Sequence, residues 1–260
     1  MKRIFIVFVF VCISTTSGFS QNLPNTWIEL EFSKKITDNL KFQFAPELRL
    51  QDGFNVDSTS GFKMDSYILE GGLSYKLHKY LTLEGYYRFE EEYKAKYKRK
   101  RDENGNKIPG YEYVYSDNSS NRLAFDIKSG FDIDRFGFQF RIRYTKGLYA
   151  NNDASEFRYR AKVDYNIKGI KLVPFVTAEF FHDQSVLQST RDSISGGFKG
   201  IDKIRYTGGI SYKINKNNEV TLFYRLQNNR ITPIENLYLE AKDQKDAKIN
   251  ILGLGWSHDF

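Results

Sequence analysis

In the stretch LKFQFAPELRLQ, residues 40–51, polarity changes at almost every step. Leu40, Phe42, Phe44, Pro46, Leu48 and Leu50 fall on one face of an extended chain, while Lys41, Gln43, Glu47, Arg49 and Gln51 fall on the other. Successive side chains of a strand point to opposite faces, so this order requires a strand with one apolar and one charged side. The run also outlasts the five or six residues usual for a globular strand.

The pattern recurs along the chain. Leu81, Leu83, Gly85, Tyr87 and Phe89 alternate with Thr82, Glu84, Tyr86, Arg88 and Glu90. Phe136, Phe138, Phe140, Ile142 and Tyr144 alternate with Gln139, Arg141, Arg143 and Thr145, and Phe157, Tyr159, Ala161, Val163 and Tyr165 face away from Arg158, Arg160, Lys162 and Asp164. Eleven such segments fall near 27–36, 39–51, 64–77, 80–93, 121–132, 135–146, 156–167, 170–182, 201–214, 218–228 and 247–260. Segment 170–182 is nearly all apolar, and only Glu179 orients it. No helical periodicity of comparable length is present.

Connections alternate in length, short at TDN, LHKY, DIDR, IKGI and NKNN and long at 52–63, 94–120, 147–155, 183–200 and 229–246. Short turns on one rim and long loops on the other belong to an outer-membrane barrel. The expected fold is therefore all-β: a transmembrane antiparallel up-and-down β-barrel. Single-chain bacterial barrels have even strand counts, so eleven segments predict 12 strands, or 10 if the Trp27 segment lies outside the closed sheet.

Composition agrees once alternation is allowed for. A mean hydropathy of −0.54 with 27 % charged residues looks soluble, yet the chain carries 18 Tyr and 22 Phe. A membrane barrel hides its lipid face in every second position and averages out as hydrophilic.

The N-terminus orders Lys2 and Arg3, an apolar run from Ile4 to Ile13, and small residues at Gly18 and Ser20, the order of a secretory signal peptide. We expect residues 1–20 to be that signal and 21–260 to be the outer-membrane barrel. Cys12 is the only cysteine, so the mature chain would have no disulfide or thiolate metal site. Without residues 1–20, Lys plus Arg falls from 39 to 37 against 32 acids, and the net charge from +7 to +5. Such mild basicity on an exported chain excludes nucleic acid as the expected partner.

The closing ILGLGWSHDF sets Leu252, Leu254, Trp256 and Phe260 on the lipid face of a last strand. Gly255, Trp256 and Phe260 fit the terminal signal by which the barrel-assembly machinery recognises its clients, and His258 stands where another apolar residue is usual.

The order of short motifs resembles the uncharacterised outer-membrane proteins grouped as domain of unknown function 2490. The motifs are the strand led by Trp27, PELR with Glu47 and Arg49, GYYR with Arg88, NR with Arg122, FRIRY, FRYR, Glu179 in AEFF, RYTGGISYKIN, FYRLQ and the final ILGLGWSHDF. The resemblance implies an outer-membrane barrel and brings no activity with it.

Function then has to be sought in the lumen and loops. The expected lumen face carries Arg49, Arg88, Arg122, Arg141, Arg143, Arg158, Arg160, Arg205 and Arg225 against Glu47, Glu84, Asp126, Asp164 and Glu179. Guanidinium forks pair bidentately with carboxylates, so these residues either knit into a packed network or, with arginine in excess, line a path for small anionic solutes. In KAKYKRKR, residues 94–101, Lys and Arg could contact phosphates of surface lipopolysaccharide, and Asn104 and Gly105 suit the turn of a hairpin above the membrane. Catalysis is not expected. Of His78, His182 and His258, only His182 has Asp183 and Ser185 close by, and neighbours on a strand point to opposite faces. No cofactor is implied.

Overall fold

The computed structural model describes residues 25–52, 62–101, 107–148, 155–183, 201–229 and 247–260. The expected signal peptide, the Asn104–Gly105 turn and Ser185 lie outside these residues. Within them the chain forms eleven strands: β1 Asn25–Lys35, β2 Leu40–Asp52, β3 Phe62–His78, β4 Leu81–Arg101, β5 Lys107–Ile133, β6 Phe136–Gly147, β7 Ser155–Tyr165, β8 Leu172–Asp183, β9 Lys203–Lys213, β10 Asn218–Asn229 and β11 Ala247–Asp259. Each strand pairs with its neighbours in sequence, and β1 pairs with β11, so the sheet closes into an up-and-down barrel.

The strand number corrects the expectation of 12 or 10. Ten of the eleven pairings are antiparallel, but β1 and β11 run side by side in the same direction, from Asn25 opposite Ile251 to Ser33 opposite Asp259. A parallel seam removes the requirement for an even count. The Trp27 segment is the wall's first strand rather than an accessory to it.

The seam is tied at one end by the chain's last residues. The Phe260 N–H donates to the Ser33 carbonyl at 2.8 Å, and the Ser33 hydroxyl bonds the Asp259 carboxylate. From the other side, the Asn217 side-chain amide donates to the Asp259 carbonyl at 2.6 Å. Parallel pairs are slightly weaker per residue than antiparallel ones, and these contacts reinforce the end of the seam.

Residues 36–39, 79–80, 134–135, 166–171 and 214–217 make the turns on one rim, here the turn rim. In the two-residue turn at Asp134–Arg135, Asp134 takes a φ of 53°, which aspartate tolerates because its short polar side chain bonds locally. The opposite rim carries the other connections and is called the loop rim. There β4 and β5 outrun the wall: beyond the Ser66–Glu92 pair, β4 pairs with β5 alone, up to Arg101 opposite Lys107. The expected hairpin therefore forms, and its nine residues past Glu92 would reach about 30 Å if extended.

Alternation decides which side faces in. Phe125, Ile127, Phe140, Ile142, Val176 and Tyr206 are all more than two-fifths exposed on the outer wall. Facing inward, Asp126 is 2 %, Arg143 5 % and Glu179 5 % exposed, so the polar side chains are the buried ones. In β8 the orientation follows Glu179, with Val176 outward at 60 %.

Three interior glycines receive a ring from the strand opposite. Gly72 faces Tyr86, Gly209 faces Phe175 and Gly253 faces Phe223 in register. A Cβ on Gly253 would stand 2.0 Å from the Phe223 ring, so only glycine leaves room for it. Phe223 then packs with Trp27 and Ile251 into a small apolar cluster inside the barrel.

Candidate functional site

The inward side chains form a closed circuit of charges around the lumen. Arg143 grips Asp126 through Nε and Nη2 at 2.7 and 2.8 Å, and Glu70 through Nη1 and Nη2 at 2.9 and 3.0 Å. Its four bonds span β3, β5 and β6. Glu70 lies 3.7 Å from Arg88, Arg88 donates to Glu90 at 3.3 Å, and Arg49 donates to Glu90 at 3.2 Å and to Glu47 at 2.7 Å.

Trp27 bridges the next step. Arg49 lies 4.2 Å and Arg205 5.2 Å from its ring centroid. Arg205 donates to Glu179 at 3.3 Å, Arg141 donates to Glu179 at 2.9 Å, and Arg141 approaches Asp126 at 3.9 Å, which returns the path to its start. Buried charges need well-formed partners to offset their lost hydration, and bidentate bonds with cation–π stacking supply them here.

Two branches leave the circuit. Arg225 donates to Glu29 and Thr207, both at 3.1 Å, and stacks on Trp27 and Phe223. Toward the turn rim, Glu84 accepts from Lys128 at 2.6 Å, from Ser74 at 3.1 Å and from Tyr86, whose hydroxyl also reaches Gln43.

Of the residues expected to line the lumen, Arg49, Arg88, Asp126, Arg141, Arg143, Glu179 and Arg205 are members of the circuit. Glu47 hangs from Arg49, while Glu84 and Arg225 sit in the branches. Arg122, Arg158 and Arg160 stand outside it; Arg158 bonds Glu156 at 3.1 Å, and no ion pair joins Arg122 or Arg160 to a carboxylate among the described residues. At the closing end, Gly255 pairs with Glu29 across the seam, Trp256 meets Phe32 edge-on at 5.6 Å, and Phe260 is 69 % exposed. His258 accepts or donates a bond with Asn218 at 2.9 Å and abuts Phe260 at 4.4 Å, so a polar partner explains the histidine where an apolar residue is usual.

Sequence reading missed Glu29, Glu70, Glu90 and Glu156 as counterions, and adding them removes the arginine excess of nine to five. The signal for Glu70 was available, because Tyr67, Leu69, Leu73 and Tyr75 mark the other face of β3. Trp27, Phe175, Phe181 and Phe223 also face inward, against the alternation rule that sets most aromatic residues of these strands on the outer side. His182 lies on the row opposite Glu179 and Phe181, across from Phe157.

A family model for proteins of unknown function, DUF2490, matches residues 24–237. The chain belongs to the DUF2490 family. Among solved structures, this DUF2490 barrel is similar to the β domain of the Bordetella autotransporter Brka, at 11 % identity and a TM-score of 0.43, covering 91 % of this chain and 97 % of that one. It is also similar to OmpT, an outer membrane protein of Vibrio cholerae, at 10 % identity and a TM-score of 0.32, covering 79 % and 86 %. No curated protein matches the chain.

Proposed function

We propose that this DUF2490 protein is an integral outer-membrane barrel whose lumen is filled by its own side chains. It serves the envelope as a structural wall, or passes small anions only when the charged circuit parts. The observation that carries this reading is the inversion of burial: Phe125, Ile127, Phe140 and Val176 face outward while Asp126, Arg143 and Glu179 are buried within. An apolar surface that encircles a barrel would be untenable in water and suits lipid. The N-terminal run from Ile4 to Ile13 behind Lys2 and Arg3 supports export.

Membrane fractionation tests location: the protein should enter the outer-membrane fraction and migrate faster on gels unboiled than boiled. Recovery as a soluble protein without detergent would overturn it. Planar-bilayer recording tests the lumen. Small or intermittent conductance is expected, and a large steady pore would refute the filled lumen.

A second reading rests on the hairpin of β4 and β5, which extends the wall on the loop rim and carries the basic run at 94–101. It would contact lipopolysaccharide phosphates. Replacing the Lys and Arg of that run by Gln should then lower lipopolysaccharide binding while leaving the folded band on gels unchanged. Neither reading includes catalysis, and biogenesis by the barrel-assembly machinery follows from the outer-membrane assignment.

A further inference from the structure

The outer wall is indented along the parallel seam. A groove of about 210 Å3 lies there, lined by Ile28 and Leu30 of β1, Leu254 and Trp256 of β11, Val220 of β10 and Ile214 of the neighbouring turn. Ile28 stands opposite Leu254 and Leu30 opposite Trp256, so both strands of the seam contribute to it.

Register explains the gap. On β10, Val220 stands between Trp256 of β11 and Tyr212 of β9, a short side chain flanked by two large rings. Trp256 is held in place beside it, since Phe32 meets its ring edge-on at 5.6 Å and His258 lies 5.9 Å away.

The position of the groove selects its occupant. Ile214 belongs to the turn rim, Val220 is two residues into β10, and Trp256 is three residues from the end of β11. From there the lining continues inward to Leu254 and Ile28. The groove thus belongs to the turn-rim half of the wall, and short turns face the periplasm in outer-membrane barrels. That leaflet of an outer membrane is built of glycerophospholipid, whereas lipopolysaccharide occupies the other. The lining side chains are hydrocarbon throughout, with the indole N–H of Trp256 as their single polar hydrogen. An acyl chain matches such a lining, and an indole near the rim suits the ester carbonyl at the head of the chain.

We propose that this groove binds one acyl chain of a glycerophospholipid from the turn-rim leaflet, and that the bound lipid fastens the seam between β1 and β11. Parallel pairing is slightly weaker per residue than antiparallel pairing, and a chain lying in the groove touches both strands at once. The inference rests on the reading of the protein as an outer-membrane barrel and adds to it a defined lipid site.

The protein carries its own reporter. It has two tryptophans, and Trp27 is enclosed within the barrel at 6 % exposure, so a quencher on a lipid tail reads Trp256. The test titrates the full-length protein in detergent micelles with phosphatidylethanolamine whose acyl chains are brominated. Fluorescence should fall along a saturating curve while phospholipid is still a minor component of the micelle. The unfolding midpoint should rise over the same range, because a ligand of the folded state stabilises it. Unbrominated phosphatidylethanolamine should reverse the quenching, and lipid A should not.

Val220→Phe fills the gap and should raise the lipid needed for half-quenching about tenfold, the loss expected when about two methylenes are no longer buried. Ile142→Phe, on the outer face of β6 across the barrel, should leave the curve unchanged. The heat-modifiable band on gels verifies that each variant is folded, and Leu30→Phe replaces Val220→Phe if the latter misfolds. Quenching that follows the lipid fraction without saturating, an unchanged curve in the filled variant, or competition by lipid A equal to that of the phospholipid would overturn the site. Saturable quenching with no rise in the midpoint would overturn the fastening of the seam. Recovery of the protein in soluble form without detergent would overturn the barrel reading itself, an outcome distinct from non-saturating quenching of a folded barrel.

Discussion

The guanidinium of Arg49 rests 4.2 Å from the centre of the Trp27 ring, on the strand that forms one side of the seam. Trp27 also carries Arg205 and Arg225, at 5.2 and 4.7 Å. A single aromatic ring thus joins two halves of a charge circuit that is otherwise held by carboxylates.

Replacing Trp27 should therefore unfasten the lumen. Trp27→Ala is expected to cost about 3–5 kcal/mol, the range for truncating a buried aromatic, and to raise conductance in planar bilayers. Trp27→Phe should restore part of both, because a smaller π face remains for Arg49. Equal conductance in all three proteins would show that the ring does not hold the circuit shut.

Arg143 is the second fastening. Its removal leaves Asp126 and Glu70 without their bidentate partner, and breaking a buried pair in this way costs about 3–5 kcal/mol. Arg143→Ala with Asp126→Asn should be less destabilised than Arg143→Ala alone, as read from unfolding midpoints. Arg141→Ala with Arg143→Ala should enlarge conductance and weaken anion preference, because two cations are lost and Glu70, Asp126 and Glu179 are left without those partners. Reversal potentials across a salt gradient measure that change.

Gly253 offers a test of interior packing. Gly253→Ala sets a methyl against the Phe223 ring and should destabilise by about 1–3 kcal/mol, the usual cost of overpacking. Adding Phe223→Leu should recover much of the loss. Gly208→Ala is the control, since a Cβ there meets nothing within 4 Å, and its unfolding midpoint should match the parent.

At the C-terminus, deleting Phe260 removes the N–H that bonds Ser33 along with an exposed ring. Levels of folded protein in the outer membrane should fall, as measured by the heat-modifiable band. His258→Phe should assemble normally but unfold at slightly lower temperature, because the bond to Asn218 is lost. Unchanged levels after loss of Phe260 would remove its role in assembly.

Much of this architecture was legible from polarity alone. The alternation in β2 assigned Phe42 and Phe44 outward and Gln43 and Arg49 inward, and the eleven segments correspond to the eleven strands. Antiparallel closure needs an even number, which argues against eleven, and a parallel seam cannot be read from either strand by itself. The circuit was half legible. Alternation assigns a side chain to the lumen, but which carboxylate Arg143 meets depends on curvature and on the distance to β3, a strand far away in sequence. Inward aromatics such as Trp27 and Phe181 escaped notice because period-two reading equates aromatic with lipid-facing, whereas a charged interior uses rings as surfaces for guanidinium groups.

Because β1 and β11 run the same way, the chain joins the wall at one mouth with Asn25 and leaves it at the other with Phe260. An even-stranded barrel returns both ends to one compartment. This one threads its polypeptide from side to side, so a label at Asn25 and a label at Phe260 would report on opposite faces of whatever sheet of lipid the barrel occupies. The protein is then a covalent link between two compartments, independent of anything that passes through its middle.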